Sequence, residues 1–141
     1  MLKNISPLIS PELLAKLHKM GHGDEIVFAD AHFPGYTFCD EVFRADGIEV
    51  PDLLKGVLPL FELDQFVDDK VVMMQAVEGD KIPDGLLDEY QACFEDDVKI
   101  HFIERFAFYE RTKKASCVVM CGTTRKYGCI ILKKGVTPHF V

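Results

Sequence analysis

Apolar positions along the chain fall into short continuous runs separated by stripes at helical spacing. Leu13, Leu14, Leu17 and Met20 lie on one face at that spacing and predict a helix. Ser10 can cap it, Pro11 suits its first position, where the missing N–H is not needed, and Gly21 supplies a stop. Glu25 to Ala29 follows with a continuous apolar centre, the pattern of a strand covered on both faces. Val42-Phe43-Arg44 predicts a short strand, Pro51 opens a helix through Leu54 and Val57, and Val71 to Val77 is a second strongly apolar strand. Pro83 opens a helix through Leu86, Leu87 and Tyr90, with Asp84 near its positive end. Val98 to Ile103 reads as a strand and Phe106 to Lys114 as a helix. Cys117 to Cys121 and Tyr127 to Leu132 close the chain as two strands, joined by a turn around Gly122-Thr123.

Strands alternating with helices predict an α/β protein: a single three-layer domain over residues 1–141, with a largely parallel central sheet flanked by helices. A length of 141 residues suffices for one real core, and no repeat, low-complexity segment or linker interrupts it. Hydrophobic residues make up 48% and charged residues 28%, which is the balance of a globular chain and not of a disordered one. The net charge of −7 argues against nucleic acid, whose phosphates need a basic face. The basic pairs Lys113-Lys114, Arg125-Lys126 and Lys133-Lys134 are short and read as solvated rim. No apolar run approaches the roughly 20 residues that span a bilayer, and the first residues lack the pattern of a signal peptide. An odd count of five cysteines, three of them in apolar strand-like runs, points to reduced thiols and a cytoplasmic location. Cys117 and Cys121 lack the second pair a zinc site needs and read as small buried hydrophobes.

The segment from Gly21 to Pro34 concentrates the candidate chemistry, with ionisable groups at both ends of one apolar strand. Gly21-His22-Gly23 is not a dinucleotide fingerprint: Ile26 stands at the third glycine position, and the glycines precede the strand instead of following it. His18 and His22 have a metal-like spacing, but Gly21 ends the helix between them and Lys19 stands where a hydrolytic zinc motif carries Glu. No metal is expected. His22, freed by its glycine neighbours and carrying an imidazole, a side chain able to give and take protons, is the acid/base candidate, or else it fills a turn. Asp30 sits at the carboxyl end of its strand, where open α/β sheets bind ligands, or else it forms an Asx turn. His22 and Asp30 are eight positions apart and span up to roughly 26 Å when extended, so a neighbouring subunit could supply half of a site. Arg105, beside Phe106, Phe108 and Tyr109, suits a polar ligand with an apolar face, or pairs with Glu104 or Glu110 at the surface. Tyr127-Gly128-Cys129 offers a phenol and a close backbone approach, or a rim tyrosine.

These residues carry a resemblance that runs through nearly the whole chain. Its segments are Leu2 to Leu14, Met20-Gly21-His22-Gly23-Asp24-Glu25-Ile26, Ala31-His32-Phe33-Pro34, Arg44-Ala45-Asp46-Gly47 and Pro59 to Asp64. They continue with Val77-Glu78-Gly79-Asp80, Arg105 to Arg111, Lys126-Tyr127-Gly128 and Leu132 to Pro138. The chain resembles the fucose mutarotase and D-ribose pyranase family, in its L-fucose branch. The resemblance implies a cofactor-free sugar isomerase, with the residue matching His22 as proton donor and those matching Asp30, Arg105, Tyr127, Gly128 and Cys129 in the sugar site. It implies L-fucose as substrate; the alternatives are D-ribose pyranose/furanose interconversion, by the same ring-opening chemistry, and a non-catalytic sugar-binding module, whose only sequence support is Cys129. It also implies a ring-shaped homo-oligomer, often a decamer, with sites shared between adjacent subunits. Cys129 departs from the family's usual Asn after Tyr-Gly, and a thiol cannot replace both the donor and the acceptor of an amide. The part played by His32 is open.

Overall fold

The computed structural model describes residues 1–139. In chain order the helices are α1 (Pro11–Lys19), α2 (Gly35–Phe38), α3 (Val50–Val57), α4 (Leu86–Gln91) and α5 (Arg105–Lys113). The strands are β1 (Glu25–Ala29), β2 (Val42–Ala45), β3 (Val71–Met74), β4 (His101–Ile103), β5 (Cys117–Cys121) and β6 (Ile130–Lys133). They form one sheet in the order β2-β5-β1-β6-β3-β4. β2, β5 and β1 run parallel, as do β3 and β4, while β6 is antiparallel to both of its neighbours, β1 and β3. The expected largely parallel sheet is therefore present, with one reversed strand near its middle.

Alternation along each strand divides the core into the two halves of a three-layer sandwich. Ile26, Phe28, Val71, Met73, Val119, Ile130 and Leu132 pack with Leu13 and Leu17 of α1, Leu53 and Leu54 of α3, and Leu86 and Tyr90 of α4. Val27, Ala29, Val72, Met74, Val118, Met120 and Ile131 pack on the other side with Phe33 and Phe108, the latter from α5. Full burial of one such aliphatic side chain contributes about 1.5–3 kcal/mol, so both faces of the sheet are held. α2 passes so close to the sheet that a Cβ on Gly35 would meet Met120 Sδ at 2.7 Å.

Several boundaries differ from the sequence expectation for local reasons. The Glu104 side chain accepts from the Phe106 and Ala107 N–H groups, so α5 begins at Arg105. A turn closed by Val98 N–H to Glu95 O delays β4 to His101. β6 begins at Ile130 and not at Tyr127: Tyr127 has φ +62°, and the Gly128 N–H is taken by Asp30 instead of a ladder. β5 and β6 do not pair with each other, because β1 lies between them. Gly122 is required at the end of β5, where a Cβ would meet the Gly47 backbone at 2.6–2.9 Å.

Candidate functional site

The reversed strand decides where chemistry can gather. The carboxyl ends of β1, β3 and β4 share one edge of the sheet with the amino end of β6, a reversal of the kind at which α/β sheets bind ligands. A cavity of about 210 Å³ lies there. Asp30, Arg105, Tyr127 and Cys129 all line it, between an apolar wall that includes Phe33, Met74 and Val77 and a polar rim with His32 and Lys126.

Asp30 is 4% exposed and tightly held. Its Oδ1 accepts the His32 N–H at 2.9 Å, and its Oδ2 accepts the Gly128 N–H at 3.0 Å. The Cys129 thiol lies 3.3 Å from the same Oδ2, and the Asp30 N–H points back to Cys129 Sγ at 3.4 Å. Burial, and then the charge of Asp30, push the Cys129 thiol well up, so it remains an S–H donor. Thus Cys129 braces the carboxylate, while Gly128 acts through its backbone and does not itself line the cavity. Gly128 is small for a reason: a Cβ would lie 3.0 Å from Tyr90 Oη and 3.1 Å from Arg125 O. The buried Tyr90 hydroxyl donates to Gly128 O at 2.7 Å and fixes the segment from below.

Arg105 makes no ion pair with Glu104 or Glu110. Glu104 caps its helix and Glu110 pairs with Lys113. Its Nε donates to Tyr109 Oη at 2.9 Å, and the guanidinium lies 5.4 Å from the ring centres of both Phe106 and Tyr109. Phe38 stacks on Tyr109 at 4.6 Å and steadies that platform. The remaining guanidinium N–H groups can therefore meet a ligand's hydroxyls. His32 donates from Nε2 to Thr124 O at 2.7 Å, which sets its tautomer and leaves it a rim residue.

His22 is not in this cavity. It precedes β1, whereas Asp30 follows it, so the two stand at opposite ends of the strand. There its Nε2 lies 3.2 Å from Asp64 Oδ1, and its ring packs 5.5 Å from Phe66, a phenylalanine that is 71% exposed. Asp64 is buried and also accepts the Phe66 N–H at 3.0 Å. That N–H, and after it His22, hold the Asp64 carboxyl below the usual carboxylate range. The Asp64 carboxylate, 3.2 Å from Nε2, fixes the orientation of the ring. Asp64 was missed from sequence: it lies 42 positions from His22 with no spacing rule to join them.

Comparison with known proteins places the chain among relatives of the same fold. The model of the RbsD / FucU transport protein family matches residues 3–137. The chain is similar to the L-fucose mutarotase of Actinobacillus pleuropneumoniae serotype 5b (strain L20), with 51% identity covering 98% of this chain and 99% of that one. It is similar to the crystal structure of the fucose mutarotase from Streptococcus pneumoniae in complex with L-fucose, at 44% identity and a TM-score of 0.90, covering 96% and 99% of the two chains. It is also similar to FucU from Bifidobacterium longum, at 39% identity and a TM-score of 0.91, again covering 96% and 99%. No helix among the described residues is long and apolar enough to cross a membrane.

Proposed function

The chain belongs to the RbsD / FucU transport protein family, and on that footing we propose that it is an L-fucose mutarotase, exchanging the α and β anomers of the free sugar. One observation carries the reading. A carboxylate, a guanidinium and a phenol converge on a cavity whose other wall is apolar. Hydroxyls can bind the first three, and the methyl group of a 6-deoxy sugar suits the wall of Phe33, Met74 and Val77.

Anomer exchange needs a proton delivered to the ring oxygen and another removed from the anomeric hydroxyl. The ring opens to the aldehyde, the C1–C2 bond rotates, and the reverse transfers close the other anomer. Asp30 and Arg105 hold hydroxyls, and Tyr127 orients the reacting end. His22 is the proton donor, with Asp64 orienting its ring. Because His22 and Asp30 stand at opposite ends of β1, the donor comes from an adjacent subunit of a ring-shaped homo-oligomer, a decamer by family resemblance. The exposed Phe66 beside His22 suits burial at such a contact. The protein works without cofactor on a cytoplasmic sugar pool.

The test is magnetisation exchange between the anomeric protons of L-fucose by NMR, repeated with D-ribose. Wild-type protein should speed anomer exchange of L-fucose, and His22→Ala should lose about 10²–10⁴-fold of that effect. Exchange at the buffer rate with wild type, alongside saturable binding, would instead mark a sugar-binding module. Catalysis of ribose interconversion alone would mark a pyranase.

A further inference from the structure

The loop between β3 and α4 carries an acidic residue, Asp80, that no step above uses. We infer that Asp80 is a positioning residue, which takes the only proton of the Tyr127 phenol and so presents Tyr127 to the sugar as a hydrogen-bond acceptor. This deepens the mutarotase reading and rests on it for the identity of the ligand.

The geometry sets the direction of each bond. Tyr127 Oη lies 2.8 Å from Asp80 Oδ2, and an ionised carboxylate can only accept, so the phenol donates. The Val77 N–H donates to the same phenol oxygen at 3.3 Å. A phenol has one proton and two lone pairs, so one lone pair is left for a ligand in the cavity that Tyr127 lines. Asp80 is itself anchored: Lys126 Nζ lies 2.7 and 2.9 Å from its two oxygens, and the Lys81 N–H donates to Oδ1 at 2.8 Å. Lys126 first, then Tyr127 and the Lys81 N–H, bring the Asp80 carboxyl down to about 2. So acidic a carboxyl is a poor proton sink at neutral pH, and the phenol orients a sugar hydroxyl without relaying its proton through Asp80. The same grip explains a backbone oddity. Tyr127 has φ +62°, uncommon for a residue with a Cβ, and Asp80 holds it there through both its own side chain and that of Lys126.

A double-mutant cycle tests this. Asp80→Ala should lower kcat/KM for L-fucose anomer exchange by about tenfold or more, through lost orientation. On a Tyr127→Phe background the same change should have no further effect. An equal loss on both backgrounds, or no loss on wild type, would overturn the proposal. A readout without sugar keeps it distinct from the mutarotase reading. The ¹³Cζ resonance of Tyr127, assigned by its disappearance in Tyr127→Phe, should shift toward that of a solvated phenol in Asp80→Ala. An unchanged resonance overturns the proposal whatever the activity; a shifted one, with wild type inert on fucose, overturns only the mutarotase reading. Asp80→Asn keeps an oxygen for the Lys81 N–H and carries the same cycle if Asp80→Ala does not fold, with a smaller loss that Tyr127→Phe again abolishes.

Discussion

The two ends of β1 are built in opposite ways. At its carboxyl end Asp30 is buried, bound by two N–H groups and a thiol, and faces a cavity with Arg105 and Tyr127. That end can hold a polyol, but His22, the proposed proton donor, is not there. At its amino end His22 has a buried carboxylate partner in Asp64 and an exposed aromatic neighbour in Phe66, with its own ring half in solvent. That end can move a proton, but His22 does not line the cavity that Asp30 faces. A rigid five-residue strand keeps them apart, so flexing within one chain cannot merge them. On the reading proposed above, each end is half of a site that a second copy completes.

Substitutions at the two ends should separate binding from proton transfer. The largest effect after that of His22→Ala belongs to Asp30→Ala. It removes a charged acceptor and orphans the His32 and Gly128 N–H groups, and should cost on the order of 100-fold in kcat/KM, mostly in KM. Gly128→Ala comes next. Its Cβ would crowd Tyr90 Oη and Arg125 O, with an expected loss of about 1–3 kcal/mol in urea unfolding. Asp64→Asn should lower kcat about tenfold with KM unchanged, since it alters the partner of the proton donor and not the cavity. It also has a pH signature. The Asp64 carboxyl is held below its unfolded value of about 3.9, so its contribution to stability is complete above that pH and fades as pH falls through the folded value. Asp64→Asn should therefore unfold with a shallower pH dependence below about pH 4. Cys129→Ala should have the smallest effect, a modest rise in KM, because it removes one of three donors to Asp30.

Much of this was legible before any coordinates. β1 and β5 matched their expected bounds because continuous apolar runs of that length suit a strand covered on both faces. α1 matched at its start because the Ser10 cap and Pro11 are local signals, whereas it ends on an extended Met20 and not on a left-handed Gly21. Asp30, Arg105 and Tyr127 could be singled out because each couples an ionisable or phenolic group to an element end. What stayed hidden is non-local. Periodicity says which face a side chain takes but not which strand lies beside it, so the reversal of β6 between β1 and β3 could not be read. α2 was missed because four residues, Gly35–Phe38, carry no helical stripe. Asp64 and Asp80 act 42 and 47 positions away from the groups they hold, and each looks like an ordinary loop acid on its own.

The most direct test mixes two defective subunits. His22→Ala and Asp30→Ala proteins would be co-assembled in equal amounts, and anomer exchange of L-fucose followed by NMR. If each site takes His22 from one subunit and Asp30 from its neighbour, random assembly leaves about one quarter of sites intact, and the mixture should recover about that fraction of wild-type activity. A mixture no faster than the average of the two variants would contradict the shared site and return the proton donor to the cavity's own chain.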